Sequence, residues 1–153
     1  MPNSEPHSSM NMKYLIEAIE EANRVYLIGN GGSAANAIHI ANDLMLKGIK
    51  AQALLDIATV TAFANDFGYE HIFSRQIDIH GQEGDLLIAL SGSGNSPNVL
   101  NAIWKAKEKG MRCISIIGGG KAQEISEYIL TDPNMQKSEQ RQLEIGHEVY
   151  LSL

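Results

Sequence analysis

The chain has 153 residues, of which 44% are hydrophobic, 20% charged and 6% aromatic. That is one domain's worth of chain with an ordinary apolar share, which excludes wholesale disorder and leaves no room for two standard domains. The formal charge of −6, from 18 acidic and 12 basic residues, gives no general basis for binding nucleic acid. No apolar run approaches a bilayer span, no signal-peptide pattern opens the sequence, and the single cysteine, Cys113, excludes an internal disulfide framework. These features predict a cytoplasmic protein with neither membrane nor nucleic acid as partner.

Residues 1–10, MPNSEPHSSM, hold two prolines and three serines and read as a flexible N-terminal tail, with the folded domain over 11–153. From Asn11 to Asn23, Tyr14, Leu15, Ala18, Ile19 and Ala22 recur at helical spacing. The apolar run Val25–Ile28 predicts a buried strand that enters GNGGSAAN, after which a helix carries Ala34 through Lys47. Ala51–Leu55 reads as a second strand, with short helical stretches around Ile57–Ala64 and Glu70–Ile79. Asp85–Leu90 is a third strand, leading through SGSGNS to a helix over Pro97–Lys109 that Gly110 stops. Cys113–Ile117 and the short Tyr128–Leu130 supply two more strands, and a helix runs from about Ser138 to the end. Strands alternating with helices call for a parallel sheet covered on both faces, and the near-continuous apolar strands agree. The fold class is therefore α/β, a single doubly wound parallel sheet.

Two glycine- and serine-rich turns carry the chemistry. Gly29-Asn30-Gly31-Gly32-Ser33 and Ser91-Gly92-Ser93-Gly94-Asn95-Ser96 each join a strand to a helix N-terminus. Glycine lets the backbone approach a ligand, while hydroxyls and free helix-terminal N–H groups face an anion. Pro97 suits the first helical position, with Ser96 as N-cap. One such turn is commonly just a tight connection; two on the carboxyl edge of one sheet point to phosphate. A competing pattern is Gly29-x-Gly31-x-x-Ala34 followed by Asp56, which matches a dinucleotide fingerprint with its ribose-binding acid. It leaves SGSGNS without a role, and the chain has no room for a separate substrate domain.

GNGGSAAN with His39, NDFGYEHIFSRQ at 65–76 and SGSGNSPNVL at 91–100 together resemble a sugar isomerase (SIS) domain. More narrowly they resemble the phosphoheptose isomerases, which interconvert sedoheptulose 7-phosphate and D-glycero-D-manno-heptose 7-phosphate. The resemblance runs from about Tyr14 to the C-terminus and implies a flavodoxin-like sheet of the SIS type. It implies that Ser91, Gly92, Ser93 and Ser96 hold the phosphate, and that Asn30, Gly31, Gly32, Asn65 and Asp66 contact the sugar. It also implies a divalent metal, zinc being the first choice, on His39, Asp43, Glu139 and His147, with Glu139 also touching substrate. The reaction would be proton transfer through an enediol, with Asp43 and His147 as base and acid. His39 and Asp43 stand four apart on one helix face, the spacing a shared ion needs.

Four features depart from the family pattern: Asp43 replaces a glutamate, Glu139 a glutamine and Gly92 a threonine, and both terminal helices are short. The resemblance implies a homo-oligomer, a tetramer or dimer, whose active sites are completed between subunits. A different class of reading is a non-catalytic SIS module that binds a sugar phosphate or serves regulation or assembly, as does a relative that binds the bacterial replication initiator. Metal-dependent turnover separates the enzyme from the module.

Overall fold

The computed structural model describes residues 10–153. Residues 1–9, most of the expected tail, lie outside the described residues. Met10, counted with that tail, is tied down: its N–H donates to the Tyr128 carbonyl at 2.8 Å, and its side chain packs on the core.

The elements follow in the order α1 (Met12–Glu21), β1 (Val25–Ile28), α2 (Gly32–Leu46), β2 (Ala51–Ala53), α3 (Ile57–Phe67), α4 (Ile72–His80), β3 (Leu86–Ser91), α5 (Pro97–Glu108), β4 (Arg112–Ile117), β5 (Glu127–Leu130) and α6 (Met135–Ser152). Short 3₁₀ turns occupy Tyr69–His71 and Lys121–Glu124. The expected elements are all present, with ends displaced by a few residues. The end of α3 and the start of α6 each move by three residues; α6 starts at Met135 because the Asn134 side chain accepts from the Lys137 N–H at 3.1 Å and caps it there.

All five strands are parallel, in the order β2-β1-β3-β4-β5. Alternation along each strand divides the core in two. Val25, Leu27, Leu86, Ile88, Ile114 and Ile116 face α1, α2 and α6, whereas Tyr26, Ile28, Leu87, Ala89, Cys113 and Ile117 face α4 and α5. Burial on both faces explains why these strands read as apolar runs instead of alternating ones. The chain leaves β1 towards β2 and returns to the other side of β1 as β3. Loops after β1 and β3 therefore diverge from neighbouring strand ends, Ile28 being paired with Ala89. Such a topological switch point opens a crevice at the carboxyl edge of the sheet.

Candidate active site

The first loop passes very close to the end of β3. A Cβ on Gly29 would lie 2.8 Å from the Ser33 carbonyl group and 3.0 Å from the Leu90 oxygen, so only glycine fits. Gly31 has φ +58 and acts as N-cap of α2 without a side-chain hydrogen bond. The α2 terminus therefore keeps backbone N–H groups that no cap satisfies.

The second loop is internally braced. The Ser91 hydroxyl accepts the Gly94 N–H at 3.0 Å, and the Ser93 hydroxyl accepts the Asn95 N–H at 3.1 Å. Gly94 has φ +66, and a Cβ there would overlap the Gly119 carbonyl. The Gly118–Gly120 run after β4 supports this loop from below: Gly118 donates to the Gly92 carbonyl at 3.1 Å, and Ala122 to that of Gly94 at 2.9 Å. Ser96 sits at the N-cap of α5 as expected, but its hydroxyl makes no capping bond. It remains available to a ligand. At Gly92 the Met135 side chain occupies the space a side chain would need.

An amide pair joins the two loops. Asn30 Nδ2 donates to Asn98 Oδ1 at 2.8 Å, and Asn98 Nδ2 donates back to Asn30 Oδ1 at 2.9 Å. The Tyr69 hydroxyl donates to the same Asn30 oxygen at 2.8 Å. Asn30, Tyr69, Ser96 and Asn98 share the lining of a cleft of about 240 Å³ at the switch point. Asn98 and Tyr69 fall inside the sequence motifs, yet no spacing rule singled them out. Asn65 and Asp66 end α3 exposed and hydrogen-bonded to each other at 3.1 Å. Among the described residues, no hydrogen bond ties them to either loop.

A second cluster forms where α2 and α6 run side by side in the same direction. Gly32 meets Glu139, Ser33 and Asn36 meet Gln142, Ile40 meets Gly146, and His39 meets His147. A Cβ on Gly146 would come within 2.6 Å of Ile40 Cγ1, so the missing side chain sets how closely the helices approach. His39 Nε2 lies 3.3 Å from Asp43 Oδ2 and 3.3 Å from His147 Nε2. One donor atom from each of the three lies within 4.8 Å of the others. Two nitrogens bound to a tetrahedral zinc at ordinary bond lengths stand about 3.4 Å apart. The donor set thus suits a divalent ion in type and spacing. Glu139 does not join it: its carboxyl group lies against Gly32 at the start of α2. The fourfold ligand set expected from the sequence is, in the structure, a cluster of three.

Asp56, the acid that completed the dinucleotide pattern, is already engaged. Its carboxylate accepts from Thr59 N at 3.2 Å and Thr59 Oγ1 at 3.3 Å, capping α3. Cys113, at 7% exposure, lies in the core between β4 and α5 and has no part in the site.

A parallel sheet with two glycine-rich loops at its switch point, the second rich in hydroxyls, and a His/Asp/His group farther along α2 has the layout of a phosphosugar-type α/β domain. The SIS domain family model matches residues 10–118, and the chain belongs to that family. It is 43% identical over 141 residues to the phosphoheptose isomerase of Rhodospirillum rubrum, covering 85% of this chain and 75% of the relative. Among solved structures, the Neisseria gonorrhoeae phosphoheptose isomerase superposes with TM-score 0.83 at 29% identity, covering 92% of this chain and 81% of that one. The Francisella tularensis phosphoheptose isomerase gives 0.85 at 29% identity, covering 91% and 82%. No helix among the described residues is long and apolar enough to cross a membrane.

Proposed function

We propose that the chain is a phosphoheptose isomerase, interconverting the ketose sedoheptulose 7-phosphate and the aldose D-glycero-D-manno-heptose 7-phosphate. The observation that carries this reading is the presence on one domain of a hydroxyl-rich loop at the switch point, with the Ser96 hydroxyl uncommitted, and of a His/Asp/His group along α2 and α6 that can move protons and hold an ion.

In this reading Ser91, Gly92, Ser93 and Ser96 receive the phosphate, assisted by the N-terminus of α5. Asn30, Gly31 and Gly32 lie along the sugar, with Asn65 and Asp66 as further contacts at the outer end of α3. Asp43 takes the proton from C1, beside the carbonyl, while His147, from the facing helix, gives a proton to the C2 carbonyl oxygen, which yields the enediol. Asp43 then delivers its proton to C2 as His147 takes the proton of the C1 hydroxyl, so both side chains end as they began. No redox partner is required, since ketose and aldose are isomers. A divalent ion, zinc by the nature of the donors, would be held by His39, Asp43 and His147, where it supplies polarisation of the sugar oxygens. Glu139 is assigned to the substrate side, because its carboxyl borders Gly32. The folded domain takes in Met10 as well as residues 11–153, and a homo-oligomer in the cytoplasm is its expected state.

A non-catalytic sugar-phosphate module is the second reading. Two observations favour it: the short Asp43 carboxylate, and the position of Glu139 outside the cluster. Proton NMR of sedoheptulose 7-phosphate in D₂O with protein and zinc separates the two. Deuterium entering beside the carbonyl, stopped by chelation and by His39→Ala, is the expected result. Line broadening without exchange would favour the module and remove the isomerase.

A further inference from the structure

The Asn30–Asn98 pair poses a geometric problem, because two facing amides satisfy each other equally well when both are flipped. The Tyr69 hydroxyl breaks that symmetry. A phenol is a better donor than acceptor, and at 2.8 Å it occupies the second lone pair of Asn30 Oδ1, the first being taken by Asn98. With its oxygen doubly engaged and one N–H given to Asn98, Asn30 is left with a single N–H. Among the described residues that N–H has no partner. Asn98 is 2% exposed, so its end of the pair cannot turn to water, and the cleft beside Asn30 is the accessible side.

We propose that Tyr69 is a positioning residue: its bond to Asn30 Oδ1 fixes the Asn30 amide as a donor to a hydroxyl or carbonyl oxygen of a sugar phosphate between the two loops. This rests on the phosphosugar reading above. Tyr69 reaches across from the turn after α3, so it also couples the position of that turn to the orientation of the amide. Its ring is 56% exposed, and loss of the hydroxyl alone leaves the packing intact. Inorganic phosphate, which needs only the serine loop, does not read the Asn30 amide.

The test is Tyr69→Phe, titrated calorimetrically beside the unaltered chain with sedoheptulose 7-phosphate and, separately, with inorganic phosphate. The expected result is a loss of about 3- to 10-fold in sugar-phosphate affinity with phosphate affinity unchanged, the worth of one oriented hydrogen bond. Unchanged affinity for both ligands overturns the proposal, as does an equal loss for both, which would mark a general loosening of the loops. If the unaltered chain binds phosphate but not the sugar phosphate, the phosphosugar reading itself fails and the role of Tyr69 falls with it.

Discussion

Gln142 holds α6 to α2, and replacing it tests whether a buried polar network sets the cluster. The residue is fully buried. Its oxygen accepts from Ser33 Oγ at 3.2 Å and Asn36 Nδ2 at 3.0 Å, and its nitrogen faces Ser33 Oγ at 3.1 Å and the Ile116 carbonyl at 3.5 Å. Gln142→Met keeps the shape and removes every polar atom. Asn36 retains a bond to the Glu139 carbonyl at 2.8 Å, but Ser33, 3% exposed, loses both of its hydroxyl's contacts, each of them to Gln142. An orphaned buried hydroxyl costs about 1–3 kcal/mol, and the bond lost by Asn36 adds about 1. Extra apolar burial offsets about 1 kcal/mol. The net expectation is about 1–3 kcal/mol of destabilisation, read as a lower urea midpoint at unchanged m-value. Adding Ser33→Ala removes the orphan, so the double variant should recover about 1 kcal/mol relative to additivity. A single variant within 0.5 kcal/mol of the unaltered chain by urea titration, or a strictly additive pair, refutes the reasoning.

Ser93→Ala removes a hydroxyl from the rim of the second loop. Sugar-phosphate affinity should fall about 3- to 10-fold by calorimetry, and equal affinity would move the phosphate elsewhere. Gly94→Ala combines positive φ with overlap of the Gly119 carbonyl, and should cost about 3 kcal/mol or more in thermal unfolding; under 1 would mean that the loop relaxes easily. Burial pushes the Cys113 thiol up to about 12, so native protein at pH 8 should resist iodoacetamide, and rapid labelling would contradict the packing. Because the unfolded thiol ionises near 8.5, the native state gives up stability as pH climbs from there to about 12. Cys113→Val should flatten that alkaline decline in a pH series of urea titrations.

The strands, the helices and the two ligand loops are legible in the chain because each is a local matter. Apolar runs such as Leu86–Leu90 bury on both faces wherever they are placed in a parallel sheet, and glycine runs before helices leave N–H groups free. The i, i+4 pair His39 and Asp43 is likewise a property of one helix. Residues that act across elements are a different matter. Nothing near Gln142 in sequence says that it lies against Ser33, and nothing near Tyr69 says that it reaches Asn30. Those meetings depend on strand order and on how far α6 slides along α2, which the bare Gly146 against Ile40 controls.

Glu139 and His147 show the division most directly. Eight residues of helix separate them by about 12 Å, and the family resemblance assigned both to one ion. Packing α6 parallel to α2 sends His147 to His39 and leaves Glu139 two turns away, over Gly32. The sequence by itself determined the fold class, both loops and one half of the polar cluster, since these need only local periodicity and backbone freedom. Tertiary structure alone decided which α6 residue completes the cluster and which amide faces the cleft, because those follow from the register between helices far apart in the chain.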